Sequence, residues 1–142
     1  NVKHSESSLP QKKQRSFKTL KNSLDIVFAL YIRKRDTWSY GSTRVGKCIS
    51  CGLVLFYGKG DCGHFIKRRH MSLRWNAKNN NFQCRFCKNE SNNIGYVSGM
   101  IQKYGQGIID ELTLKKNTIS KFACFELEQL INYYKNETEK LK

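Results

Sequence analysis

The chain has 142 residues, a hydrophobic fraction of 39% and a formal net charge of +15. This length suits one domain, or one domain with an arm, and the apolar content supports only a modest core. No apolar run approaches the ~18 residues of a membrane-spanning helix, and the polar, basic start is unlike a signal peptide, so we expect a cytoplasmic protein. The excess of cations predicts a polyanionic partner, either nucleic acid or an anionic membrane surface.

The first predicted elements are a basic arm and a helix. Residues 1–16 are polar and basic, and we expect them to form a flexible arm. Leu20, Leu24 and Phe28 then recur at three- or four-residue spacing, which predicts an amphipathic helix over about 17–36. Cations end this helix, where the helix dipole favours them. The remainder, 17–142, is predicted to be a single domain.

Short strands are predicted in the middle of the chain and helices after it. The polar stretch 38–47 is predicted to be a loop, and 48–57 a cysteine knuckle that leads into a strand. Further predicted elements are a turn at 58–61, strands at 64–67 and 72–75, and helices at about 94–104, 108–112 and 119–141. The predicted fold class is therefore α+β, with a zinc-containing core over 45–104 and C-terminal helices over 105–142.

Positive charge is concentrated in the middle third of the chain. Residues 38–88 hold ten Lys and Arg and a single acid, Asp61, whereas residues 89–142 hold seven of each sign. Aromatic residues such as Phe56, Phe65 and Trp75 are interleaved with these cations. This pattern favours nucleic-acid contact over a merely solvated surface. A membrane-surface or RNA-binding protein is a weaker hypothesis, because no lipidation signal and no aromatic RNA-binding motif is present.

The six cysteines predict a structural zinc site. Two C-x2-C pairs, Cys48 with Cys51 and Cys84 with Cys87, can complete the Cys₄ coordination of one Zn²⁺. A disulfide scaffold is the competing interpretation, and the absence of a secretory signature argues against it. Of the two remaining cysteines, Cys124 is predicted to be a core thiol, and Cys62 a spectator beside the site described next.

The insert between the two pairs carries candidate catalytic residues. His64 stands in a short apolar stretch, and Asn79 lies five residues before the second pair, which is the layout of HNH-type ββα-metal nucleases. In such a site a neutral imidazole takes a proton from water, and a divalent cation stabilises charge on the phosphate. A lone histidine is more often structural. Its position between zinc knuckles, in the most basic segment, favours catalysis.

Several motifs in order resemble the phage NinG/Rap recombination proteins. The opening stretch Tyr31-Ile32-Arg33-x-Arg35-Asp36 is followed by the first cysteine pair and then by Asp61-x-Gly63-His64-Phe65. The likeness continues through Leu73-Arg74-Trp75, Asn79 and the second pair, and covers roughly residues 20–142. The resemblance implies an endonuclease that cleaves branched recombination intermediates such as Holliday junctions. It also implies a ββα-metal core flanked by helices, similar to that of the endonuclease VII resolvases.

The resemblance implies the following residue roles. His64 would be the general base, Asn79 would hold the geometry, and Asp61 would bind a catalytic Mg²⁺ or Mn²⁺. The family usually has Asn directly after the last cysteine, where this chain has Lys88. Either Lys88 contacts the phosphate, or the metal ligand shifts to Asn89. The residues predicted to contact DNA are Lys67, Arg68, Arg69 and Arg74.

Two further departures from the family pattern concern this region. The usual His three residues before the second pair is Asn81 here, and Gly63, not an acid, precedes His64. The alternative function is a zinc-stabilised, non-catalytic protein that binds branched DNA. The joint presence of Asp61 and His64 favours activity. Resolving a four-way junction takes two nicks, so a homodimer is expected, in the cytoplasm of the host cell if a phage encodes the protein.

Overall fold

A computed structural model describes residues 9–10, 13–90 and 93–142. Most of the predicted basic arm lies outside these ranges, and residues 13–16 of it are exposed and lead into the first helix. In chain order the elements are α1 (Phe17–Arg35), β1 (Thr37–Tyr40), β2 (Thr43–Lys47), β3 (Val54–Phe56), β4 (Gly60–His64), α2 (Met71–Arg74), β5 (Asn80–Cys84), α3 (Arg85–Asn89), α4 (Asn93–Tyr104), α5 (Ile108–Lys116) and α6 (Cys124–Lys140). The predicted α+β class is confirmed. Among the described residues, no helix is both long and apolar enough to traverse a bilayer.

The main core is formed between α1 and α6. The Ser16 side chain caps α1 by accepting a hydrogen bond from the Thr19 amide, as expected at a helix N-terminus. The stripe predicted from the sequence is buried: Leu20, Leu24 and Phe28 lie against the apolar face of α6. The apolar faces of α1 and α6 pack together within the chain. The last helix begins at Cys124 rather than near 119.

The stretch 38–47, predicted to be a loop, is a β-hairpin. Strands β1 and β2 pair antiparallel around a tight turn in which Gly41 has φ of 60°, a conformation that favours glycine. Strand β3 adds to β2 and completes a three-stranded sheet. The prediction was wrong because the exposed face of this sheet carries the aromatic residues Trp38 and Tyr40, whereas its buried face carries Thr37 and Gly46, so the usual alternation of buried apolar and exposed polar residues is missing. Gly46 lies on the inner face, where a Cβ atom would clash with Phe82 and Thr37.

A second, two-stranded sheet carries the residues predicted to be catalytic. Strands β4 and β5 pair antiparallel, with His64 opposite Asn80 and Asp61 opposite Gln83. The strand predicted at 64–67 therefore ends at His64. The strand predicted at 72–75 is the short helix α2 instead, which buries the consecutive residues Leu73 and Arg74. Helix α3 follows β5 directly.

Helices α4 and α5 form a second apolar cluster beside this sheet. Tyr96 and Met100 of α4 pack with Ile108 and Leu112 of α5, and Leu73 of α2 joins them. The Tyr96 hydroxyl donates a 2.6 Å hydrogen bond to the Gly63 carbonyl, which ties α4 to β4. Gly99 faces the first cysteine knuckle, and a Cβ atom there would lie 1.8 Å from the Ile49 carbonyl oxygen. Helix α4 therefore approaches the knuckle closely only because residue 99 has no side chain.

A partly buried ionic network joins the end of α1 to β5. Arg35 donates to both carboxylate oxygens of Asp36 at 2.7 and 2.9 Å, and Asp36 accepts the Phe82 amide at 3.0 Å. The Lys103 ammonium lies 2.8 Å from the same carboxylate. Burial opposes the charge on Asp36, but Arg35 and Lys103 prevail and hold its pKa below the usual value. The Arg-Asp pair of the opening motif is thus part of the scaffold.

Candidate active-site cleft and metal centre

The four cysteines of the two C-x2-C pairs lie together. One knuckle precedes β3, and the other spans the end of β5 and the start of α3. The four sulfur atoms lie within 4.8 Å of one another, and those of Cys51 and Cys84 are 3.9 Å apart. Four thiolates in tetrahedral contact with one zinc ion have similar separations, because each Zn–S bond is about 2.3 Å. The centre can therefore hold one structural metal ion such as zinc.

Backbone amides point at this centre and stabilise thiolates. The amides of Cys51 and Cys84 donate to the Cys48 sulfur at 3.5 and 3.3 Å. Burial opposes the Cys48 thiolate, but these donors outweigh it and lower its pKa. Burial raises the pKa of the neighbouring Cys51 thiol. Metal ligation requires every thiol to lose its proton, and the positive charge of a bound cation would favour that loss at both cysteines.

A cleft of about 450 Å³ lies between α1, β4 and α3. Strand β4 contributes Asp61 and His64, and helix α3 contributes Lys88. Arg68 reaches the cleft from the loop after β4. The remaining lining residues are Asp25, Phe28, Ala29 and Arg33 of α1, and Cys62 of β4. The structure therefore brings four of the residues singled out from sequence into one cleft.

His64 is neutral at physiological pH. Burial lowers its pKa to about 4, because a partly desolvated imidazole resists protonation. Asp25 opposes this shift, and Arg68 and Lys88 reinforce it. An unprotonated ring nitrogen can accept a proton, which is the first requirement of a general base.

Asp61 is flanked by two cations. Its Oδ2 atom lies 3.5 Å from the Lys88 ammonium and 3.6 Å from Nε of Arg85. The carboxylate is 28% exposed, so solvent and a ligand can both reach it. Cys62 beside it is buried, and burial raises its thiol pKa to about 12. Such a thiol is inert at neutral pH, in keeping with the spectator role predicted for it.

Two cleft residues on α1 were not proposed from the sequence as site residues. Asp25 accepts hydrogen bonds from Nε of Arg74 and from the Trp75 indole at 2.9 Å each. Arg33 stacks 4.7 Å over the Tyr57 ring and donates to its hydroxyl at 2.8 Å. Its Nε atom is buried with no hydrogen-bond partner among the described residues. The sequence feature that could have pointed to this part of the site is Asp25, because it is the only acidic residue of α1.

The sequence matches the family model described as Bacteriophage Lambda NinG protein over residues 2–142. The chain belongs to the NinG family. This confirms the resemblance drawn from the motifs, and membership points to a recombination-related role in a phage. No curated protein matches the chain, and no solved structure matches it.

Three positions of the NinG motif region have roles set by packing. Asn79 is fully buried; its side chain accepts the Ile66 amide and donates to the Ile66 carbonyl, both at 2.9 Å. It therefore fixes the loop that follows His64. Asn81 accepts hydrogen bonds from Lys103 and Tyr104 at 2.8 Å each and does not line the cleft. A Cβ atom at Gly63 would collide with the Gln83 side chain.

The residues predicted to contact DNA divide into two groups. Lys67, Arg68 and Arg69 are exposed on the loop between β4 and α2. Arg74 differs from the prediction: it is 8% exposed and forms a two-pronged ion pair with Asp25. A guanidinium held this way positions α2 against α1 and is not offered to a phosphate. Asn89 is exposed on α3 and does not line the cleft.

The cleft offers a divalent cation few protein ligands. Within the described ranges, the cysteine centre is the sole group of three or more His, Cys, Asp or Glu side chains close enough to share an ion. Asp25 accepts hydrogen bonds from Arg74 and Trp75 at 2.9 Å, whereas the contacts of Asp61 with Lys88 and Arg85 are longer, at 3.5 and 3.6 Å, so Asp61 is the more available carboxylate. Mg²⁺ commonly takes one or two carboxylates and completes its shell with water and substrate phosphates. Asp61 fits that pattern, and Lys88 competes for the same oxygen.

Proposed function

We propose that this protein is a metal-assisted endonuclease that cleaves branched DNA such as Holliday junctions. The observation that carries the proposal is the convergence of His64, Asp61, Lys88 and Arg68 on one cleft. A neutral histidine among cations suits the hydrolysis of a phosphodiester, since the reaction needs a proton acceptor beside a site for an anion. Family membership supports a recombination context for that chemistry.

The order of the surrounding elements supports a ββα-metal core. Strands β4 and β5 are antiparallel neighbours and α3 follows β5 at once. His64 ends the first strand, and Lys88 lies on the helix. Asn79 holds the connecting loop from its interior, which is the part that the resemblance assigns to it.

In the proposed reaction His64 accepts a proton from a water molecule as the water oxygen forms a bond to phosphorus. The phosphorus–oxygen bond to the leaving group breaks, and that oxygen takes up a proton from solvent. Arg68 stabilises the extra negative charge on the phosphate. A divalent Mg²⁺ or Mn²⁺, held by Asp61 and the substrate phosphate, would supply further charge stabilisation when bound.

The deciding experiment measures cleavage of a labelled four-way junction and of linear duplex, with and without Mg²⁺ or Mn²⁺. We expect His64→Ala to lower the single-turnover cleavage rate by roughly a hundredfold or more, while junction affinity is retained. His70→Ala is the matched control, because His70 lies outside the cleft and should leave the rate unchanged. Cleavage by His64→Ala at the wild-type rate would overturn the site assignment, with His70 as the next candidate.

One observation favours the alternative function, a zinc-stabilised accessory protein that binds branched DNA without cutting it. Lys88 lies 3.5 Å from Asp61, at the oxygen that a divalent cation needs. If wild-type protein binds the junction and never nicks it with either metal, this second function replaces the first.

We further propose that the protein acts on a junction as a homodimer. Symmetric resolution takes two nicks, and each chain carries one copy of the residues proposed for catalysis. The apolar faces of α1 and α6 pack against each other inside the chain, so a dimer contact would use another part of the surface. Light scattering of the protein bound to a junction should give two chains per DNA. A single chain that makes both nicks would contradict the proposal.

A further inference from the structure

The three-stranded sheet presents an exposed aromatic face. Trp38 lies opposite Val45, and Val45 lies opposite Phe56, so the three side chains form a row on one face. Tyr40 stands two residues along β1 on the same face. Trp38, Tyr40 and Phe56 are 45%, 68% and 58% exposed, although large apolar side chains usually avoid water. The inner face of the sheet is occupied by Phe82, so the aromatic row is not needed for the core.

The charge around this face points to a polyanion. Residues 37–60 contain three cations and no acid. Arg44 lies on the inner face, where its guanidinium donates to the Lys34 and Thr37 carbonyls, which leaves Lys47 and Lys59 exposed to a ligand. By its register opposite Val54, Lys47 shares the aromatic face. A second copy of the sheet would bring like charges together, whereas a nucleic-acid backbone would neutralise them. Aromatic side chains set among cations are the arrangement with which proteins bind single strands, because every base can stack on a ring.

The aromatic face meets the cleft at one strand end. Phe56 is the last residue of β3, and the next residue, Tyr57, lies under Arg33 of the cleft wall. Trp38 and Phe56 are separated by two strand spacings, about 10 Å, which leaves room for bases to stack on each ring. A DNA strand bound along this face would therefore extend towards the cleft that contains His64.

We propose that Trp38, Tyr40 and Phe56 form a stacking platform for unpaired bases of single-stranded DNA next to the cleft. The choice of DNA as the partner rests on the proposed endonuclease function. The platform makes the protein bind DNA that contains an unpaired stretch more tightly than fully paired duplex. It binds bases without reading their sequence, since stacking is available to all four.

The first test uses an oligothymidylate of about 15 nucleotides, zinc-loaded protein and no added Mg²⁺ or Mn²⁺. Binding should quench tryptophan fluorescence, since Trp38 is 45% exposed and Trp75, the second tryptophan, is 7% exposed. Trp38→Ala with Phe56→Ala should weaken affinity, measured by fluorescence anisotropy, by roughly five- to a hundredfold. Trp38→Phe keeps a ring for stacking, so it should keep most of the affinity and lose the quenching.

Phe125→Ala is the matched control, because Phe125 is an equally exposed aromatic (62%) on α6, away from this sheet. Unchanged affinity of the double variant, with folding and zinc content intact, overturns the platform. So does a double variant that binds the oligonucleotide normally and loses self-association, since that outcome assigns the face to a protein contact. A failure of the proposed endonuclease function would give a different result. Wild-type protein would then cut no junction, but the oligonucleotide would still quench the fluorescence of Trp38, and the platform would stand.

Discussion

Burial keeps the His64 imidazole unprotonated at neutral pH. Its pKa is lowered to about 4, mainly because the imidazole is withdrawn from water, with Arg68 and Lys88 adding repulsion. An ordinary histidine loses half of its basic form near pH 6.5. The buried one keeps its basic form across the whole range in which the protein is expected to work.

We therefore predict a pH profile without an imidazole step. The single-turnover cleavage rate should show no fall attributable to His64 as the pH drops from about 8 to about 5, because the ring stays unprotonated until about pH 4. His70→Ala serves as the control for the more exposed ring and should give the same profile. A protonation step near 6.5 that persists in this variant would contradict the neutral, buried state of His64.

The same shift has a consequence for stability. Below its ordinary pKa the unfolded chain takes up a proton at His64 that the folded chain refuses. The free energy of unfolding should therefore fall as the pH drops from about 6.5 to about 4, and this contribution should be absent from His64→Gln. Urea titrations of the two proteins at several pH values measure the difference.

Lys88 provides a test of how the cleft handles a divalent cation. Its ammonium pairs with Asp61, so removing the charge should free that carboxylate. We predict that Lys88→Asn keeps or raises cleavage and lowers the Mg²⁺ concentration that gives half-maximal rate. Lys88→Met is the matched control, since it removes the charge without adding a ligand oxygen. A large loss of activity in both variants would instead make Lys88 a phosphate contact.

At the scale of elements, the metal centre joins segments far apart in the chain. Between Cys51 and Cys84 lie both β4 and the loop held by Asn79, so an ion bound by the four cysteines would close a loop that contains much of the cleft. Loss of the ion should release β3 and α3 from each other. Because the site offers four thiolates and no position for substrate, we expect it to act in folding alone.

We predict that Cys48→Ser loses zinc and lowers the thermal midpoint of unfolding. Serine is a poor replacement for a thiolate, and the remaining sulfurs would repel one another when ionised. Elemental analysis should give one zinc per wild-type chain and much less for the variant. Cys124→Ser, whose thiol lies outside the centre, should bind zinc normally. A fully folded, zinc-free wild-type protein would refute the assignment.

What the sequence could predict follows from how each element is buried. Helix α1 was predicted within a residue or two, because its buried stripe repeats with the helical period, and the cysteine centre followed from spacing alone. The β1–β2 hairpin was missed because its outer face carries Trp38 and Tyr40 in water. Helix α2 was taken for a strand because Leu73 and Trp75 alternate. The single turn is held by Asn79, which follows it closely in the sequence, and by Asp25, which is 49 residues from Arg74 and meets it only when the chain folds.

At the scale of the whole molecule, a group of exposed cations lies beside the cleft. The loop between β4 and α2 exposes Lys67, Arg68 and Arg69 next to the cleft, whereas the last third of the chain is neutral overall. Arg74 was predicted to contact DNA with them, and its ion pair with Asp25 removes it from that set.

We predict that replacing Lys67, Arg68 and Arg69 by alanine weakens junction binding and flattens its salt dependence. Each lost phosphate contact should change the slope of log affinity against log salt by about one unit, so the triple variant should lose up to about three. The control variant replaces Lys121, Lys135 and Lys142 by alanine, which removes the same amount of charge from exposed positions elsewhere. Equal slopes for both variants would place the DNA-binding surface outside this loop.

The exposed loop that contains Lys67, Arg68 and Arg69 also separates the chain into two segments that contact each other extensively. A trypsin cut after Arg69 would leave one piece with α1 and β1 to β4, and another with α2, β5 and the later helices. The pieces would still share the α1–α6 interface, the β4–β5 pairing and one cysteine pair each around a common ion. The protein is thus suited to fragment complementation, with its two halves assembling when zinc is supplied and parting under a chelator.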